Sequence, residues 1–311
     1  MTILEEKYNF LKNKNYNIKK KRNIKEKIIS KILLSLALIS ILTTIGILVI
    51  LSKETIAFFG EVSISDFLTG TEWTALFANP KFGVIPLVIG TIMIAIYGSI
   101  VAIPLGLGSA IYLSEYASDR TRKIVKPLLE ILAGIPSIVY GYFALTFITP
   151  LLKNFFPEIN VFNALSASIA VGIMIIPMIS SLSEDAMKAV PDEIRHGAYA
   201  LGATKFEVST KVVIPAALSS IISSFVLAIS RAVGETMIVT LAAGSTPNLT
   251  LNPLESVQTM TSFIVQVASG DVTHGGLIYK TIFAVGMLLF LITLSMNIIA
   301  RMIIKKYKEE Y

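Results

Sequence analysis

The sequence predicts an all-α polytopic membrane protein with six transmembrane helices. Three observations carry this reading. Of 311 residues, 54% are hydrophobic and only 15% charged, a low charge content for a water-soluble chain. The apolar residues gather in blocks of about 20 or more, the length that crosses a bilayer core. The Lys and Arg residues alternate between crowded and nearly empty connecting segments.

The first span is placed at 31–51. It is too long for a cleaved leader and follows a basic tail, residues 1–30, so it reads as a retained helix. The tail is rich in Lys and Asn and is expected to be frayed or partly helical at the membrane surface. Residues 52–83 form a loop with the only Trp, Trp73. Its Gly70–Trp73 and Asn79–Gly83 stretches read as turns around short helices. Spans follow at 84–113, 127–152, 163–182, 216–244 and 278–304. A second large loop covers 245–277, and 305–311 is a closing tail. Pro86, Pro104, Pro136, Pro150 and Pro177 lie in or at the ends of apolar runs. Kinks there are tolerated where neighbouring groups satisfy the freed carbonyls. Gly106, Gly108, Gly134, Gly141 and Gly172 offer small surfaces for close helix approach.

Orientation follows from the cations. Of 27 Lys and Arg residues, 22 fall in 1–31, 114–126, 183–215 and 301–311. Four fall in 52–83, 152–163 and 245–280, and Arg231 lies within a span. The positive-inside rule then puts both termini and segment 183–215 in the cytoplasm. The net charge of +6 is thus a topology signal. The run Lys19-Lys20-Lys21-Arg22 suits anionic membrane lipid better than nucleic acid.

Segment 183–215 carries its own helix punctuation. Leu182 and Met187 flank Ser183 at staple spacing, with Glu184 and Asp185 in the first turn that would follow. Pro191 and Asp192 restart a helix that Gly202 ends. Thr204 and Glu207 form a capping-box pair for a third short helix running to Pro215. Over 192–201, Ile194, Ala198 and Leu201 recur at helical spacing on one face, with Asp192, Glu193, Arg195 and His196 on the other. Two readings fit: a handle that docks in a groove on a soluble partner, or a loop with its apolar face packed beneath the spans.

Arg231 and Glu235 sit in the otherwise apolar stretch Ile221–Leu241. A charge at mid-membrane costs about 2.5–3.5 kcal/mol on insertion scales, so each needs a partner or a wet cavity. Spaced four apart on one helix, they would share a face and could neutralise one another. Alternatively, the guanidinium could give bidentate hydrogen bonds to an oxyanion such as inorganic phosphate, with Glu235 limiting its dwell time.

Little supports an enzyme. There is no Gly-x-x-x-x-Gly-Lys-Ser/Thr loop for ATP, no His-Glu-x-x-His and no Gly-x-Ser-x-Gly elbow. Two His and no Cys make a poor zinc set. No catalytic, cofactor-binding or metal-binding residue is assigned.

His196 to Gly202, followed after nine residues by Val212-Val213-Ile214-Pro215, resembles the EAA loop of ABC-importer permeases. His196 stands where that family usually has Glu, and Gly197 where the first Ala is usual; the Gly, the spacing and the Pro are kept. From about Phe59 onward the likeness continues. Gly70–Gly83, Ile111–Tyr116, Ala133–Leu145 and Arg231–Thr236 resemble phosphate-importer permeases of the PstC kind. The resemblance implies a type I ABC-importer permease fold, with residues 84–304 as its core and 183–215 as the ATPase coupling loop. It implies a pathway through Arg231 and Glu235, and a coupling surface of Asp192, Glu193, Ile194, Arg195, His196, Ala198, Leu201, Gly202 and Pro215. It also implies a second permease (PstA type), two ATPase subunits (PstB type) that hold ATP and Mg²⁺, and an external phosphate-binding protein (PstS type). Two alternatives stay open: a permease for molybdate or sulfate, and a membrane receptor or scaffold that transports nothing.

Overall fold

The computed structural model describes residues 3–306; among them every regular element is a helix, joined by turns and loops, with one isolated bridge, Trp73 to Phe82. Among the described residues five helices are long and apolar enough to cross a membrane, six when a sharply bent pair is counted as one span. The chain divides into two units, Met1–Lys53 and Glu54–Tyr311.

Helix α1 covers Ile3–Phe59, so of the two states expected for the tail, frayed or partly helical, the helical one is seen. No Gly precedes Gly46 and no Pro precedes Pro80, so nothing in this stretch breaks the ladder. Within the first unit, every side chain from 26 to 45 is exposed. A rod of exposed Ile and Leu is what acyl chains solvate.

The second unit begins in the last turn and a half of α1. α2 (Ile64–Thr69) follows, then α3 (Ile85–Ile111), which ends in a π-turn at Tyr112–Tyr116. Phe58, Phe67, Trp73, Phe82 and Phe263 meet edge to face around one core. The loop at 52–83 is therefore a packed cap on this end of the unit, in which Trp73 is buried.

The third span departs from the single helix expected at 127–152. α4 (Asp119–Gly134) and α5 (Ser137–Phe143) meet at 88°, and a π-turn at Ala144–Ile148 links α5 to α6 (Thr149–Lys153). The cause is local. Pro136 pushes Ile135 into extended conformation (φ −66°, ψ 128°) and has no N–H for the carbonyl of Leu132. The Tyr140 hydroxyl donates to that carbonyl at 2.8 Å instead.

α7 (Ala164–Lys188) runs six residues beyond the expected end at 182. Ser183 is not a cap. It is buried, and its hydroxyl pairs with that of Ser224 at 2.8 Å. α3 and α7 cross with almost no room between backbones. A Cβ on Gly172 would lie 2.8 Å from the Gly98 carbonyl oxygen, and one on Gly106 would lie 2.7 Å from Ile179. Small residues here set the crossing.

α8 covers Asp192–Ala200 and α9 Lys205–Val208. A π-turn at Ser209–Val213 joins α9 directly to α10 (Ile214–Val233). The capping box at Thr204 and Glu207 is formed as expected. The helix it opens does not stop at Pro215. The π-turn absorbs one extra residue just before the proline, which then sits in the first turn of α10, where its missing N–H is tolerated. Pro150 stands in the same relation to its own π-turn.

The fifth span is also interrupted. α10 stops at Gly234, and α11 (Met237–Ala242) restarts after Thr236. α12 (Met260–Ser269) and α13 (Leu277–Lys306) complete the unit. Beyond Lys306 the closing tail lies outside the described residues.

Candidate functional site: a charged cleft and an exposed elbow

Arg231 is the basic residue in the last turn of α10, where the helix dipole favours a cation. Its side chain lines a cleft of about 350 Å³ between α4, α7 and α10, with Lys126, Glu130, Pro177, Ser181 and Glu184. Among the described residues no carboxylate lies within ion-pair distance of Arg231. The break at Gly234 is the reason it does not pair with Glu235. The two would share a face only on an unbroken helix, and Glu235 belongs to the restart. Its Oε1 accepts from the amides of Met237 (3.1 Å) and Ile238 (3.2 Å), and its carbonyl accepts from the Thr261 hydroxyl at 2.6 Å. Of the two arrangements left open by the sequence, the self-neutralising pair on one helical face is not formed; the guanidinium has no carboxylate partner among the described residues, and the carboxylate is held at the break.

Beside the cleft, Glu184 is fully buried at the end of α7 and is surrounded by three cations. Arg122 Nε stands 3.6 Å from Oε1, Lys126 Nζ stands 3.3 Å from Oε2, and Lys188 pairs with Oε1. Lys126 also donates to Asp185 Oδ1 at 2.9 Å. A buried carboxylate demands such company, since its desolvation costs several kcal/mol. Arg122 reaches further, donating to the carbonyls of Leu113 and Ser114 at the end of the α3 run. Sequence reasoning missed this cluster. Its signal was present as Arg122 with Lys126, and Glu184 with Lys188, each four apart and so on one helical face.

The second constellation is the elbow after α8. Asp192 and Glu193 occupy the first turn of α8, where acidic residues complement the dipole. Ile194 and Ala198 pack against the core of Met187, Val190, Val208 and Ile221. Gly202 is left-handed (φ 85°), and the amides of Gly202 and Ala203 return to the carbonyls of Tyr199 and Ala198. That is a Schellman closure.

Two sequence expectations change here. Leu201 does not join Ile194 and Ala198; the closure turns it outward and leaves it 90% exposed, and Phe206 and Tyr199 are exposed as well. Arg195 does not face away with His196. It donates to the carbonyls of Val190 (2.6 Å) and Met187 (2.7 Å) and to Asp192 (3.0 Å), and lies 3.4 Å from Glu115. It ties α8 to the ends of α7 and the α3 run. His196 and Gly197 are exposed, and Pro215 lies a full π-turn away inside the span.

Residues 102–309 match the family described as the binding-protein-dependent transport system inner membrane component. The chain is 33% identical over 274 residues to the probable ABC transporter permease protein YqgH of Bacillus subtilis (strain 168), covering 88% of each chain. It is 32% identical to the phosphate transport system permease protein PstC of Haemophilus influenzae, over 84% of this chain and 86% of that one. Among solved structures, a bacterial ABC transporter involved in import of the acidic polysaccharide alginate superposes with a TM-score of 0.61. The identity is 15%, over 86% of this chain and 93% of that chain. The family match and the extent of these likenesses agree: the chain belongs to the binding-protein-dependent transport permeases, as a multi-pass membrane subunit of an ABC importer with likeness to the PstC phosphate permeases.

Proposed function

We propose that the chain is a permease subunit of an ATP-driven importer of inorganic phosphate in the cytoplasmic membrane, with both termini in the cytoplasm. The observation that carries the reading is Arg231, a guanidinium without a carboxylate partner, facing a cleft in a membrane span of a chain whose relatives include PstC phosphate permeases. A fixed planar cation can give two parallel hydrogen bonds to an oxyanion. Glu130 and Glu184 share the cleft, so an anion there is held but also opposed. Glu235, fixed at the break between α10 and α11, extends the charged path along the same span.

In this reading a PstA-type permease completes the pathway, a PstS-type protein delivers phosphate, and two PstB-type ATPases hold ATP with Mg²⁺. This chain carries no cofactor and breaks no covalent bond. The ATPases would grip the elbow, whose exposed residues include the apolar Leu201, Phe206 and Tyr199 as well as His196. Rigid attachment through Arg195 would pass their motion to α7 and the α3 run. ATP biases the populations of outward and inward states by differential binding.

The test is labelled phosphate uptake in Arg231→Gln and Glu235→Gln at normal expression. Each is expected to lower uptake about tenfold or more, the worth of one charge-assisted hydrogen bond. Wild-type rates in both would remove these residues from the pathway. Unlabelled molybdate or sulfate competing as well as phosphate would instead assign a different oxyanion.

A further inference from the structure

Lys126 is one of three cations around Glu184, and the only one of them that also lines the Arg231 cleft. If Lys126 swings away, Arg122 and Lys188 still neutralise the buried carboxylate. Its other partner, Asp185, is 58% exposed, so water competes for that carboxylate and the contact is open to exchange. Lys is suited to such exchange, being a compact charge on a flexible stem, whereas Arg231 offers a fixed fork. The cleft holds about 350 Å³, many times the roughly 10–15 Å³ one water needs, so an oxyanion fits with part of its hydration shell.

We propose that Lys126 is a second station for the tetrahedral oxyanion, releasing Asp185 to bind the anion jointly with Arg231 across the cleft. The proposal rests on the reading of Arg231 as a pathway residue. Ser181, on the same wall, supplies a neutral hydroxyl, and Glu130 and Glu184 supply the opposing charge that lets the anion leave.

The test uses the complete transporter in proteoliposomes, with ATP and labelled inorganic phosphate. Lys126→Gln is expected to lower uptake about tenfold, from loss of a charge-assisted contact. Lys126→Arg is expected to keep most of it. Asp185→Asn, which frees Lys126, is expected to match or exceed wild type. Wild-type uptake in Lys126→Gln overturns the proposal. So does a fall in Asp185→Asn, which would make Lys126 a strut between α4 and α7; that variant alone decides if Lys126→Gln fails to assemble. A phospholipid headgroup has the same chemistry, so the assay is repeated in phosphatidylcholine vesicles with and without phosphatidylglycerol. A Lys126→Gln defect confined to anionic vesicles assigns the residue to lipid and overturns the proposal. Arg231→Gln serves as the reference. Wild-type uptake there sinks the pathway reading itself, whereas loss there with wild-type uptake in Lys126→Gln sinks only the second station.

Discussion

Arg195 shows how one side chain can join three elements. Its guanidinium stitches α8 to two carbonyls at the end of α7 and reaches Glu115 in the π-turn after α3. Only 12% of its side chain is exposed. Removing it leaves the Val190 carbonyl without its donor and takes the cation from Glu115, which is 5% exposed and keeps only the Ser114 hydroxyl. Arg195→Ala is therefore expected to destabilise the subunit by about 3 kcal/mol, as for other broken buried charge networks. Arg195→Lys should recover little, because an ammonium cannot span the fork. Thermal unfolding of the purified complex in detergent measures both. The residue's type and its neighbours in sequence pointed to solvent. Asp192, Val190 and Met187 lie three to eight residues away, but Glu115 lies 80 residues away, and no local pattern encodes that contact.

At the scale of elements, proline and glycine govern where helices stop, bend or continue. Gly202 is the clearest case. A Cβ there would meet nothing within 4 Å, so the requirement for glycine lies in the backbone angle alone. Gly202→Ala is expected to cost about 1–2 kcal/mol through its left-handed conformation, read as a lower melting temperature with assembly retained. Its role was legible because a Gly ending an amphipathic helix is a local signal. The capping box at Thr204 was legible for the same reason. The breaks at Pro136 and Gly234 were less so. A proline in an apolar run can kink, bend or be absorbed; here the Tyr140 hydroxyl, four residues on, and the Ile135 amide donate to the Leu132 carbonyl that the break frees. The apparent start at Ser183 misled because a Ser followed by acids resembles a cap, whereas burial against Ser224 and the cations around Glu184 keep α7 helical.

For the whole molecule, hydropathy made the spans legible: among the described residues, five helices long and apolar enough to cross a membrane and one sharply bent pair stand where six were expected. The charged cleft was only half legible. Arg231 stood out as a charge in apolar sequence, but Lys126 and Glu184 sit at span ends, where charge is ordinary. Absence of cysteine makes topology directly testable. Single cysteines at Gly197 and at Leu249, both exposed, can be labelled with a membrane-impermeant maleimide in intact cells and after lysis. The expected result is labelling of position 249 from outside and of position 197 only after lysis. The reverse pattern would defeat the proposed orientation and the ATPase docking with it.

The π-turn at Ser209–Val213 has a consequence for every substitution made along that span. Each residue of an α-helix advances the azimuth by about 100°, so one surplus residue shifts the phase of all that follows. Val208 and Val213 are five positions apart, a spacing that should set them on different sides, yet both are fully buried. Ala144 and Thr149 repeat this across the turn before Pro150. A helical wheel drawn straight through either proline therefore assigns lipid and protein to the wrong sides beyond it, and a cysteine or tryptophan scan must restart its count at the turn.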